Sequence, residues 1–355
     1  MSKTHHELVV QSNFFKLLRQ FIIDSQSKKR LQKNGAIIKQ STIDTYELLY
    51  KNLLSYCLKK QCFIEFPLLN FNAKKDINKA DKYWKEFYLK FTDYLYKDLD
   101  CYDNYVGNQI KVLKVFFNYL LLEKNMPIGL FHKKFYVMKE EIPILVLEPE
   151  QLQWLIDNND IDRELTPLQI RVKNIFIVGC TVALRFSDLL ALKRTDIVYS
   201  MNAMYIQVRS KKTSTFTSIK LPDYAKDIME VFMQEKRVTV FPFISVNYFN
   251  ENLKIIALKM GWNKPIDKIR NKRGEPVFIN KKEGTLLLSD LISSHIMRRT
   301  AITTMLRLGM PEHSVRKISG HTQGSKEFYR YVELSQIYLD KQTDEVFYKL
   351  RNSKF

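Results

Sequence analysis

A mainly helical chain in two domains, carrying one small β-hairpin, is what this sequence predicts, and three observations carry the reading. Glycine and proline are scarce, ten of each in 355 residues, so little interrupts the runs of Leu, Ile, Phe and Lys at three- and four-residue spacing. The length exceeds what one core usually organises. One segment breaks the helical period: "NAMYIQVRSKKTSTFTSIKL" sets β-branched and aromatic residues on both sides of a polar Ser/Lys/Thr turn, the pattern of a hairpin.

In chain order, Thr42 is expected to cap the helix "IDTYELLYKNLLSYCLKK", since a hydroxyl there can accept an unpaired backbone N–H. "KYWKEFYLKFTDYLYKDL" and "YVGNQIKVLKVFFNYLLLEKN" repeat the apolar spacing, giving a helical bundle with basic outer faces from about Ser41 to Glu123. From Met126 to Gln151 the period is lost, and Pro127, Pro143 and Pro149 mark a connector. The expected division is therefore a first domain over 1–130, a linker over 131–147 and a second domain with a C-terminal tail over 148–355, with the boundary near Pro143. In the second domain "PEQLQWLIDN" opens a helix, "LTPLQIRVKNIFIVGCTVALRFSDLLAL" reads as two more, the hairpin follows, and helices return from Asp223. A looser basic stretch, "NKPIDKIRNKRGEPVFINKKEG", lies between Asn263 and Gly284.

The formal charge, 57 − 38 = +19, is spread along the whole chain, so it belongs to a surface and implies a polyanionic partner, nucleic acid before all others. No segment reaches the roughly 18 uninterrupted apolar residues of a membrane span, and "MSKTHHELVVQSNFF" lacks the apolar core of a signal peptide. Cys57, Cys62, Cys101 and Cys180 have neither metal-ligand spacing nor the pairing of a secreted scaffold, which points to a reducing cytoplasm. The histidines form no HxxxH or Cys/His cluster, so no metal site is expected.

Three short stretches place reactive side chains where a core would not ask for them. In "TVALRFSDLLAL" Arg185 ends an apolar run, with Asp188 three residues on. The plain reading is an ion pair; the sharper one is a planar guanidinium held ready for two oxygens of a phosphate. In "SSHIMRRTAITTMLRLGM" His295 and Arg298 lie one helical turn apart on one face, above a buried stripe of Ile292, Ile296, Ala301, Met305 and Leu308. A solvated basic face, shared with Arg299, is the plain reading here. After the turn "LGMP" and the short helix "PEHSVRKIS" come Gly320 and His321, then Tyr329 and Tyr331 around Arg330.

"ALRFSDLLAL", "RSKKTS", "HIMRRT", "ISGH" and "FYRYV", in that order, resemble the tyrosine recombinase (phage-type integrase) family over roughly Glu148 to Leu334. The likeness is greatest to integrases of bacterial mobile elements. It implies a C-shaped clamp on double-stranded DNA, made of a helical, SAM-like core-binding domain and a mixed α/β catalytic domain. The chemistry it implies is cleavage by a tyrosine hydroxyl to a 3′-phosphotyrosine, reversed by another strand's 5′-hydroxyl. No metal, nucleotide or other cofactor is needed, because one phosphoester replaces another.

On the matching positions, Arg185 and Arg298 would clamp the phosphate, and His295 and His321 would assist proton transfer and bind it. Lys212, with Thr213, would protonate the leaving 5′-oxygen, Lys211 being its rival on the opposite hairpin face. Tyr331, three after Phe328, matches the nucleophile, with Tyr329 as its rival. The resemblance further implies a homo-tetramer on two DNA sites and a tail that docks on a neighbour or on its own domain. Serine before Gly320, where leucine is frequent, and the long stretch from Lys212 to His295 depart from the family pattern without removing a catalytic group. The basic stretch 263–284 is expected to contact DNA or a neighbouring subunit. Two other readings share the scaffold: a non-catalytic DNA-binding protein, against which every catalytic residue type speaks, and a type IB-like topoisomerase, separable by whether two sites are synapsed.

Overall fold

The computed structural model describes residues 4–32, 34–67, 74–201, 203–209, 216–279 and 284–352, excepting the side chains of 337–339, 341, 342, 349, 350 and 352. The chain forms two compact units, Met1–Ile142 with Lys268–Ile279, and Pro143–Asp267 with Asn280–Phe355. Among the described residues no helix is long and apolar enough to cross a membrane.

The first unit contains α1 (His5–Gln11), α2 (Asn13–Gln26), α3 (Gln40–Lys59), α4 (Lys74–Lys97) and α5 (Asp103–Leu122). The three expected helices are α3, α4 and α5. Helix α3 starts earlier than expected, with Lys39 at its N-cap, so Thr42 sits inside the first turn and gives its carbonyl to the Thr45 hydroxyl. Phe14, Phe15, Phe21, Phe116 and Phe117 fill the interior, every ring at or below 1% exposure, in edge-to-face pairs that add to their area burial.

Within the expected linker over 131–147 the unit boundary falls at Ile142 and Pro143. Phe131, in a 3₁₀ helix Phe131–Lys134, stacks on Trp84 with centroids 4.4 Å apart, and Phe135 is buried beside it. Leu147 at the other end belongs to the core of the second unit. The prolines do stop the helix, but an apolar pair four residues apart still buries itself without helical period.

His132 lies in the same short helix, fully buried. Burial first, then the Lys114 and Lys133 charges, press its imidazole down to about 4. Nε2 is 2.8 Å from the Asn118 Oδ1 and donates to it. Nδ1 is enclosed and has no hydrogen-bond partner among the described residues. The unfolded chain binds this proton near pH 6.5, the folded chain only near 4, so the stability carried by the neutral ring is whole above about 6.5 and is lost as pH falls toward 4. The unfolding free energy from urea titrations should fall across that window, by at most about 3 kcal/mol, and fall less steeply in His132→Gln.

The second unit runs α6 (Pro149–Asp157), α7 (Pro167–Val182), α8 (Phe186–Leu190), β1 (Ile197–Ser200), β2 (Ala203–Arg209), β3 (Phe216–Lys220), α9 (Asp223–Met233) and α10 (Val246–Lys259). After β4 (Lys268–Lys272) and β5 (Glu275–Ile279), which belong to the first unit, it resumes with α11 (Leu288–Leu291), α12 (Ser294–Arg307), α13 (Glu312–Ser319), α14 (Lys326–Glu333) and α15 (Gln336–Asn352). The expected hairpin is part of a three-stranded antiparallel sheet ordered β1-β2-β3, in which Ile206 stands opposite both Ile197 and Ile219 and all three are buried. Thr166 and Gln169 cap the start of α7 reciprocally, and Pro167 opens it. Helix α12 lies against α7 so closely that a Cβ at Gly179 would meet the Met297 Sδ at 2.4 Å. Of the stripe expected on α12, Ile292, Ile296 and Ala301 are buried, whereas Leu308 is 72% exposed, because the helix ends at Arg307.

The basic stretch 263–284 differs from expectation at its centre. Strands β4 and β5 pair antiparallel within the first unit. Arg270 donates to Glu140 at 2.6 and 2.9 Å, Lys272 pairs with Asp100 and Arg273 with Asp93, and Asp103 accepts from the backbone N–H of Arg273 and Gly274. These cations serve carboxylates of their own unit. No local pattern gives this away, since Glu140 is 130 residues and Asp93 180 residues distant in sequence.

Candidate active site

The site begins where α7 stops. Ala183, its C-cap, is left-handed at φ 55 and ψ 18, a conformation that costs a non-glycine residue about 1 kcal/mol or more. The turn buries Leu184 and delivers Arg185 to the N-cap of α8. Arg185 Nη1 stands 3.9 Å from the Asp188 carboxylate, a loose pair in which the buried acid orients the guanidinium.

Helix α12 supplies the next groups. Arg298, only 8% exposed, donates from Nη1 to the Ala183 carbonyl at 2.9 Å and from Nη2 to the Ser319 carbonyl at 2.7 Å. It therefore braces both the α7 turn and the end of α13. At that end Gly320 is left-handed at φ 64, as a helix C-cap requires, and His321 leaves the helix beside Arg298. The Arg298 Nη2 is 3.3 Å from the His321 Nε2, and the Ser319 hydroxyl is 2.8 Å from Nδ1.

Burial, then the neighbouring Arg185 charge, moves the Arg298 guanidinium down to about 10, so it stays cationic at neutral pH. Burial, followed by Arg298 and Arg185, holds His321 down at about 4. Its ring is neutral at pH 7, with a nitrogen able to accept a proton.

Helix α14 separates the two tyrosines. Ser325 caps it by accepting from the Phe328 N–H, and Phe328, Tyr331 and Val332 form its buried face, an i, i+3, i+4 stripe. Tyr331 is 7% exposed, with its ring centroid 6.0 Å from that of His321. Tyr329 is 45% exposed and its hydroxyl meets Arg316 Nη2 at 3.5 Å.

A cavity of about 710 Å³ is lined by Arg185, His295, Arg298, Arg299, His321 and Tyr331, with Glu327 the one carboxylate of the lining among the described residues. Tyr329 is not in its lining. Of the predicted set, only Lys212 and its rival Lys211 lie outside the described residues. Arg299 is the residue that sequence reasoning passed over. It is half-buried and lines the same cavity as Tyr331, and the signal was present: His295, Arg298 and Arg299 stand at i, i+3 and i+4 on one helix face.

The phage integrase family model matches residues 146–336. No curated protein matches the chain. Among solved structures, the XerH site-specific recombinase in its post-cleavage complex with a palindromic difH substrate is similar at TM-score 0.57 and 14% identity, covering 99% of this chain and 98% of that one. A lambda integrase dimer bound to a COC′ core site is similar at TM-score 0.54 and 13% identity over 89% and 76% of the two chains. The Tn1549 transposon integrase in complex with transposon right end DNA follows at 0.51 and 13% over 90% and 93%. At these identities the likenesses speak for the fold, two domains, mainly helical, with small sheets. The family match spans more than half of the sequence and contains every cavity residue named above, and on that basis the chain belongs to the phage integrase family, the tyrosine-type site-specific DNA recombinases.

Proposed function

We propose that the chain recombines double-stranded DNA with Tyr331 as nucleophile. The observation that carries this is the meeting of Tyr331, a neutral His321 and two arginines on one cavity, with Tyr329 turned away. As the Tyr331 oxygen bonds to phosphorus, its proton passes to the imidazole of His321. The P–O5′ bond breaks, and the leaving oxygen takes a proton from Lys212 or its rival Lys211, which lie between β2 and β3 in sequence. Arg185 and Arg298 meet the charge that gathers on the nonbridging oxygens, with His295 hydrogen-bonding the same phosphate. A 5′-hydroxyl from a second strand reverses each step, so the phosphoester bond is conserved.

In this reading the first unit, residues 1–142 with 268–279, is the core-binding domain and the second unit the catalytic domain, and the +19 charge serves phosphate contacts in both. The working assembly is a homo-tetramer on two DNA sites, acting in the cytoplasm.

The test is a nicked suicide substrate, incubated in EDTA without ATP. A detergent-stable protein–DNA adduct is expected, since side-chain cations supply the charge stabilisation. A strict Mg²⁺ requirement, or DNA binding with no adduct under any condition, overturns the proposal; the second outcome belongs to the non-catalytic scaffold.

A further inference from the structure

We infer that Arg307 is a positioning residue for the nucleophile: it ties the end of α14 to the entry segment 144–148 and so sets where Tyr331 stands against the phosphate. The inference rests on Tyr331 being the attacking group. A basic residue in the last turn of a helix ordinarily answers that helix's own dipole. Arg307, the last residue of α12, reaches outward instead. Its Nη1 pairs with the Glu148 carboxylate, and its Nη2 donates to the Leu334 carbonyl at 3.3 Å. The partners lie 159 residues before it and 27 after, so one planar fork joins the start of α6 to the end of the nucleophile's helix. The side chain is 15% exposed, and its Nε is buried with no hydrogen bond among the described residues.

Both ends of this tie are themselves fixed. Glu148 is the N-cap of α6 and exchanges hydrogen bonds with Gln151, while the Leu147 N–H before it donates to the Thr300 hydroxyl on α12 at 3.0 Å. Ile144, earlier in the same segment, packs on the cluster that holds Phe328, Tyr331 and Val332, and it lines the cavity with Tyr331. Beyond Leu334, Ser335 is fully buried and its hydroxyl donates to the Tyr331 carbonyl at 2.9 Å. The apolar stripe decides which face of α14 turns inward. Apolar contact is non-directional and tolerates sliding along the helix axis, whereas the hydrogen bonds at Tyr331 and Leu334 do not.

Arg307 is not in the lining of the cavity, so its effect on the chemistry passes through α14. Attack needs the phenol oxygen roughly 3–3.5 Å from phosphorus, and a misplacement near 1 Å costs about a hundredfold in rate. Losing the tie should therefore slow attack by the tyrosine and leave the phosphate clamp of Arg185 and Arg298 as it was.

The experiment compares two reactions at saturating DNA. One is single-turnover adduct formation on the nicked substrate, which needs Tyr331. The other, run in a Tyr331→Phe background, joins a strand whose 3′-phosphate is esterified with p-nitrophenol. There the 5′-hydroxyl of a second strand attacks phosphorus, its proton passes to buffer, the P–O bond to the aryl group breaks and p-nitrophenolate leaves. For Arg307→Met adduct formation should fall about tenfold to a hundredfold, with joining and the DNA-binding constant unchanged. Arg307→Lys, whose ammonium reaches one partner at a time, should recover part of the loss. An unchanged adduct rate overturns the inference, and so do equal falls in both reactions, the mark of a part in the fold alone. A lysine variant no faster than the methionine variant overturns it too, whether or not the ester is joined. Should Arg307→Met not fold, Glu148→Gln, on a side chain 55% exposed, should slow adduct formation about threefold to tenfold and leave joining alone; an unaffected adduct rate there is equally fatal. No adduct in the unaltered protein, or one mapped to Tyr329, is a different failure: it removes the nucleophile assignment beneath the inference.

Discussion

Replacing Arg298 by Lys lowers the rate of adduct formation about a hundredfold to a thousandfold, the usual cost of removing one preorganised donor from a site of developing negative charge, while DNA binding stays near that of the unaltered protein. The geometry explains why a retained charge is not enough. Arg298 reaches the Ala183 and Ser319 carbonyls together, and a planar fork can do this while presenting its remaining edge to the cavity; a single ammonium cannot. The lysine leaves one buried carbonyl without a donor, at about 1–3 kcal/mol. That loss should appear as a lower melting temperature, because the left-handed turn at Ala183 loses its brace. Binding and cleavage falling equally would instead assign Arg298 a structural part only. Gel-shift titration beside single-turnover cleavage separates the two.

Tyr331→Phe removes one oxygen from a side chain that is 7% exposed and should abolish the adduct while sparing DNA binding and the fold. Phe328, Val332 and the aromatic body of residue 331 still fill the same apolar cluster, so stability should change by no more than about 1–2 kcal/mol. Tyr329→Phe should form the adduct at close to the unaltered rate. Its hydroxyl touches only Arg316 on an exposed surface, and a contact of that kind contributes little.

Much of the site was legible in the sequence because it is built on helical spacing. His295 and Arg298 share a face by arithmetic, Gly320 announces the turn that releases His321, and the Phe328, Tyr331, Val332 stripe tells which tyrosine faces inward. What escaped depended on partners distant in the chain. The stretch that carries Arg270 and Arg273 read as a contact for DNA or a neighbouring subunit, and nothing local shows Glu140, Asp93 and Asp103 folding against it. Phe131 read as linker because nothing local shows Trp84 waiting for it. Strand β1 escaped because four residues are too few to establish alternation. Arg299 escaped for another reason: a second arginine beside the first is most simply read as a solvated cation, and only its place in the lining of the cavity changes that.

The measurement that tests the central claim most directly is mass-spectrometric mapping of the DNA-linked peptide from the unaltered protein trapped on a nicked substrate. The cavity geometry predicts a nucleotide remnant on Tyr331, in the segment that carries Phe328 and Val332. A remnant on Tyr329, or on any residue outside the cavity, would contradict it.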